Sequence, residues 1–431
     1  MNPQRLETSR LFNRFGFGPR PGEYAQALID GTTETRKKLL TVPAIDVGAA
    51  AVKEPEITDL GKRPELNTAE IAPFVVAIRS QTQQLILWWL DRMAASDNGL
   101  TEKMTWFWHG HWATSIEKIK HPLPMYKQNK TLRAHSLGNF TDMTKAMLND
   151  GALQFWLDGQ ENTIKAPNEN LGRELMELFV LGVNKYTEDD VKNISRVLTG
   201  YQVSRNGDVA INQNRRDKGS VTLLGRTASF TGDSLSEFLT SRDEAATFIA
   251  ERLWYRFISS TETMPSSFTA KKAFADRNIA AAVMAMASDS AMRDKKNDMV
   301  KAPVEWFISV CRALELTPSN LKSSPKLINY LTKLGQVPFS PPSVGGWPAG
   351  EAWLSSATAQ YRIEFATWLI AQSDLRVLKE LPVEQRIEKS ADWLGVAEWS
   401  PRTQTALGTS INNPQQFALL ALCSPEYIVN A

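Results

Sequence analysis

Two cysteines in 431 residues are too few for a disulfide-stapled scaffold. Cys311 in WFISVCRAL and Cys423 in ALLALCSPEY also lack the spacing of a zinc knuckle, and their apolar helical surroundings predict buried free thiols. An excess of one charge is missing as well. Forty-nine basic residues against 47 acidic ones leave a formal net charge of +2 with no long block of either sign, which disfavours nucleic acid as the main partner. Long apolar runs are absent too: IAPFVVAI and LILWWL fall far short of the roughly 20 residues that a membrane-spanning helix needs. The first residues, MNPQRLETSRLFNRFGFG, do not have the charged start, apolar run and small-residue cleavage site of a secretory signal, so a cytoplasmic chain is expected.

What is present is material for a large core, with 42% hydrophobic and 22% charged residues. Apolar side chains recur at spacings of three and four over 71–93, 104–112, 171–181, 191–198, 245–257, 304–316 and 361–370, which predicts a mainly α fold. Thr187 followed by Glu188, Asp189 and Asp190 reads as a helix start, because early carboxylates complement the helix N-terminus. Pro303 and Pro318 mark similar transitions. The expectation is a single multi-helical body over residues 1–431, with three departures. Residues 42–67, holding Pro43, Pro55 and Pro64, read as an exposed excursion. Residues 202–232 read as a polar insert, either a small β-hairpin or an irregular loop. Residues 335–353 form a Pro/Gly/Trp-rich loop, expected to pack its tryptophans onto the body and to line a cleft.

The densest chemical signal is WFWHGHWATS, with three of thirteen tryptophans and two of four histidines. A zinc site on His109 and His111 meets a geometric obstacle, since residues two apart on a helix point about 200° away from each other. They could share a metal only if the helix broke at Gly110, and no HExxH pattern supplies further ligands. One histidine is therefore expected to be a buried, hydrogen-bonded residue and the other to face a pocket. Further on, Asn170, Arg173, Glu174 and Glu177 form a polar stripe opposite Leu171, Leu175, Leu178 and Phe179. Either that stripe meets water, or Glu169, Arg173, Glu174 and Glu177 pair across a groove with His111, where burial would shift carboxylate pKa values. The basic run RRDKGSVTLLG lacks the strand-to-helix context of a phosphate loop and reads as an exposed turn.

Taken together, RLFNRFGFGPRPGE, FWHGHWATS, the run from QNKTLRAHSLGNF into PNENLGRELMELFVLGVNKYTEDDV and VLTGY, KAPVEWFISVCRAL, and GQVPFSPPSVGGWPAGEAW followed by Arg362 resemble the bacterial domain-of-unknown-function family number 1800 over nearly the whole chain. The resemblance implies a fold and a set of motif positions, among them Trp108, Asn168, Asn170, Glu177, Asp217, Trp347, Trp353 and Arg362 as binding candidates. It also implies a partner: a protein of the unknown-function family number 1501, whose members look like sulfatases or alkaline phosphatases, with export carried by that partner. The chain departs from the family where relatives usually read His-Asn-His-Phe, having Gly110 and Trp112 beside its two histidines. In the middle loop, Arg216 and Val221 stand where relatives commonly carry His and Lys. Arginine stays protonated at any relevant pH and cannot replace a proton shuttle.

Two functions follow as expectations. In the first, the tryptophan-histidine helix, the Asn168 to Glu177 helix and the Pro341 to Trp353 loop form the cleft of an enzyme, hydrolysing a polar substrate by acid-base or metal-assisted chemistry. His111 is then acid, base or single metal ligand, Glu169 and Glu174 are bases or further ligands, and Arg173 clamps an anion, all converging within about 3–4 Å of one point. In the second, the same residues lock the helices of a non-catalytic binding or assembly protein, and the aromatic loop docks a partner. No cofactor and no complete metal-ligand set is assigned by the sequence.

Overall fold

Helix starts along this chain are written in side chains that accept the first free backbone N–H groups, and the computed structural model, which describes residues 2–430, shows this at Asp46, Asn139, Asp150 and Thr187. At Thr187 the exchange is reciprocal. Its hydroxyl accepts from the Asp190 N–H at 3.2 Å, while the Asp190 carboxylate accepts from the Thr187 N–H at 2.9 Å, starting the helix Glu188–Val197. Thr187→Ala is expected to cost about 1 kcal/mol in urea unfolding. A variant as stable as the wild type would show that the cap contributes nothing. Pro303 opens the helix Pro303–Ala313, and Pro318 opens a short 3₁₀ turn.

With 59% of the chain helical and 4% strand, the fold is a mainly α single body. Strands occur as three antiparallel pairs: β1 (Tyr201–Val203) with β2 (Val209–Ile211), β3 (Val221–Leu223) with β4 (Arg226–Ala228), and β5 (Met299–Val300) with β6 (Val429–Asn430). The polar insert is therefore two hairpins, where one hairpin or an irregular loop was expected. The second closes through Leu224 and Gly225, both at positive φ (49° and 83°), the backbone of a two-residue turn that twists with its strands.

Buried apolar side chains fall into two large clusters. One gathers mainly residues between 100 and 292; the other joins the helix Ile71–Ala95 to the C-terminal third. The helix Leu100–His111 belongs to both, giving Met104, Phe107 and Trp108 to the first and Trp106 to the second. At its start the buried Glu102 accepts from Trp89 (3.0 Å), Arg92 (3.0 Å) and Arg133 (2.8 and 2.9 Å). Burial pushes that carboxyl up, but Arg133 and Arg92 outweigh it and hold the group below the usual range.

The 42–67 excursion is exposed at Val42, Ile45, Val47 and Leu66, and Ala49 is its one buried residue. It is pinned where Asp46 accepts from Ala49, Ser96, Asp97 and Asn98, and where the Ala49 carbonyl accepts from Arg92 at 3.0 Å. Cys311 is buried and Cys423 half-buried, both free, and burial pushes the Cys423 thiol up to about 12. Among the described residues no helix is long and apolar enough to cross a membrane.

Candidate functional site

The helix Leu100–His111 starts after Gly99, whose φ of 77° suits the turn before it, and runs unbroken through Gly110. All its residues except Thr101 are buried, so it is enclosed on every side, as the apolar-all-round string WFWHGHW implies. The 335–353 loop lies against it. Gly346, at φ 78°, seats its backbone on the carbonyl of Gly110, and Trp347 stacks on Trp106 with ring centroids 5.1 Å apart.

The two histidines leave opposite sides of this helix. His109 uses Nε2 to accept the Phe339 backbone N–H of the loop at 3.1 Å, within rings from Trp89, Trp106, Phe339 and Trp347. His111 places Nε2 2.8 Å from the carbonyl of Phe179. A carbonyl only accepts, so the His111 proton sits on Nε2, whereas His109 in its neutral form carries its proton on Nδ1. Both rings are interior, 1% and 3% exposed, where one was expected to face a pocket. Burial brings both pKa values down to about 3; at His111 Arg252 adds to the effect and the Phe179 carbonyl opposes it.

Phe179 lies in a π-helical segment, Leu175–Val180, that continues the α-helical turn Asn170–Glu174. The wide turn closes with the Leu181 N–H donating to the Met176 carbonyl at 2.8 Å, and such turns recur at functional sites. Its outer face carries the expected polar stripe. Arg173 forks onto both oxygens of Glu188 at 2.8 Å and reaches Glu169 at 3.2 Å. Tyr186 donates to Glu177. Glu174 is half-buried, and its pKa is raised by burial and then by Glu177. Asn168 caps the turn by accepting the Asn170 N–H at 2.9 Å. The helix thus meets the π segment at His111 and Phe179 and the loop at Gly110 and Trp106, through aromatic faces and backbone groups. Among the described residues no hydrogen bond or ion pair joins His111 to Glu169, Arg173, Glu174 or Glu177.

The remaining candidates are placed as follows. Trp108 is fully buried and donates to the Ser136 carbonyl at 2.9 Å. Asp217 accepts from Arg196 and from the Gly219 N–H, each at 2.8 Å, within the hairpin insert. Arg216 donates to the Phe230 carbonyl at 3.1 Å and Val221 is buried in β3, so both are engaged in packing in this chain. Arg362, 1% exposed, donates to the carbonyls of Trp353 at 3.0 Å and Lys301 at 3.4 Å, and burial brings its pKa to about 10. Trp347 and Trp353 are both buried.

Lys103, Arg256, Glu305 and Gln336, which the sequence did not single out, complete the site. Between the histidine helix, the helix Pro303–Ala313 and the loop lies a cavity of about 40 Å³, lined by Lys103, Arg256, Glu305, Gln336, Trp347 and Trp353 among others. Lys103 pairs with Glu305 across 202 positions of sequence and also donates to the Asn13 carbonyl at 3.2 Å. Arg256 donates to the carbonyls of Trp347 and Pro348. The available signal was a Glu102–Lys103 pair of charges at the start of a helix that goes on into WFWHGHW. Among the described residues, no group of three or more His, Cys, Asp or Glu side chains is placed to hold a metal ion.

No curated protein and no solved structure matches the chain. A family model does match, over residues 10–429, where the helix-loop-π-segment junction and its motifs lie. The chain therefore belongs to the family described as protein of unknown function (DUF1800).

Proposed function

We propose that this chain is a non-catalytic binding and assembly protein. The observation that carries the reading is the condition of its two central histidines, each enclosed by rings and committed through Nε2 to the backbone of a neighbouring element. A general acid or base must reach a substrate proton and exchange it near the working pH. Interior rings whose pKa is about 3 hold elements together instead. Arg173 and Arg362, the other cationic candidates, are likewise engaged, one with two glutamates and one with two carbonyls. Exposed apolar side chains at Val42, Ile45, Val47 and Leu66 give the excursion the composition of a contact surface.

The family resemblance adds the partner class, a sulfatase- or phosphatase-like protein of the unknown-function family number 1501, with export on that partner as part of the same reading. The rival, hydrolysis of a polar substrate by His111, Glu169 and Glu174, draws its support from the half-buried Glu174 and its raised pKa. Co-expression with an affinity-tagged protein of that family decides between them. A stoichiometric complex is expected on size-exclusion chromatography, and His111→Ala is expected to lose about 2 kcal/mol of stability and to weaken the complex in step. No complex, or a His111→Ala variant with unchanged stability and binding, would sink the assembly reading.

A further inference from the structure

The cavity between the histidine helix and the loop has donors in surplus. Trp347 and Trp353 are both 4% exposed, both line it, and neither indole N–H has a hydrogen-bond partner. Buried donors of this kind are normally satisfied, and an acceptor held between the two tryptophans would satisfy both. The charged groups of the wall point the same way. Lys103 and Arg256 bring two positive charges and Glu305 one negative charge, already paired with Lys103. Gln336 cannot offer its carbonyl freely, because its Oε1 accepts the Val304 N–H at 2.9 Å.

We propose that this cavity is a binding site for a small carboxylate anion, held by the indole N–H groups of Trp347 and Trp353 and by the cations Lys103 and Arg256. Size and charge select the class. A space of about 40 Å³ suits a few waters or one carboxylate group, and a single uncompensated positive charge matches a monoanion better than a larger phosphate dianion. A carboxylate also offers two oxygens, each able to accept more than one hydrogen bond. The half-buried Arg256, Glu305 and Ala349 lie on the solvent side of the cavity, while Lys103, Gln336 and both tryptophans are interior.

The test uses the isolated full-length chain, so its failure would leave partner capture untouched. Acetate is titrated at constant ionic strength against chloride, with inorganic phosphate as a size control, following tryptophan fluorescence and melting temperature. Wild type is expected to bind acetate saturably, with a higher Tm than in chloride and with phosphate at least about tenfold weaker. The double variant Trp347→Phe, Trp353→Phe keeps the rings and removes both donors, and its acetate affinity is expected to fall by about tenfold or more. Absence of a saturable difference between acetate and chloride in the wild type would overturn the proposal without recourse to any variant. Equal affinity in the double variant, or phosphate binding as tightly as acetate, would overturn it too.

Discussion

Between pH 7 and pH 5, His109 and His111 are expected to remove about 4 kcal/mol from the stability of the fold. Each ring has its pKa brought from 6.5 to about 3 by burial, so in this window the unfolded chain takes up protons that the folded chain refuses. Stability therefore falls with falling pH, by about 1.4 kcal/mol per unit and ring below 6.5, or about 2 kcal/mol each at pH 5. Asp150 acts in the opposite sense. Burial raises its carboxyl to about 7, so the folded state holds a proton that the unfolded state has released, and acidification favours folding there by a comparable amount. The histidine part is accordingly read by difference, from urea unfolding of wild type, His109→Gln and His111→Gln in parallel at pH 7, 6 and 5. Each variant is expected to show a flatter loss toward acid than the wild type. Parallel curves would mean that the rings titrate normally in the folded protein, and the account of them as interior ties would be wrong.

Gly346→Ala is expected to destabilise the protein by about 3 kcal/mol or more. Two costs add at this position: a side chain at φ 78° is strained by itself, and the new Cβ would overlap the carbonyl oxygen of Gly110. Backbone faces backbone there, so no rotamer change relieves the clash, and the loop must lift from the histidine helix. Gly345→Ala is the control, since its Cβ would meet only Ser343 Oγ at 3.6 Å, an ordinary contact. It is expected to stay within about 0.5 kcal/mol of wild type. Equal melting temperatures for the two variants would show that the loop does not press on Gly110.

The helical frame was legible because apolar spacing reports it directly, and the Thr187 start because its chemistry is local. The polar stripe was legible for the same reason as far as Glu174, but Leu178, assigned to the apolar face, is half-buried beside Glu177. The π segment was not, because a one-residue widening inside LMELFVLGV leaves the apolar pattern intact. The second hairpin hid its turn, with Leu224 at a positive φ that Asn or Gly usually occupies. Least legible was the Lys103–Glu305 pair, joined only when two helices and a loop assemble; periodicity carries no information about a partner 202 residues away. The histidines fell between these cases. Their opposite directions follow from helix geometry, but that both are interior depends on a loop and a π turn that spacing does not place.

The helix shared by the two cores also sets an order of events during synthesis. His109 waits for Phe339, 230 residues further along, while His111 needs Phe179, only 68 residues away. At ordinary translation rates the longer interval lasts about 10–50 s. Throughout it Trp106 stands uncovered by Trp347, and once Met292 has been added the first core is complete in sequence while that cover is still missing. The nascent chain thus carries a helix with one aromatic face uncovered for about half of its synthesis, and transiently exposed apolar surface of that kind is prone to aggregation.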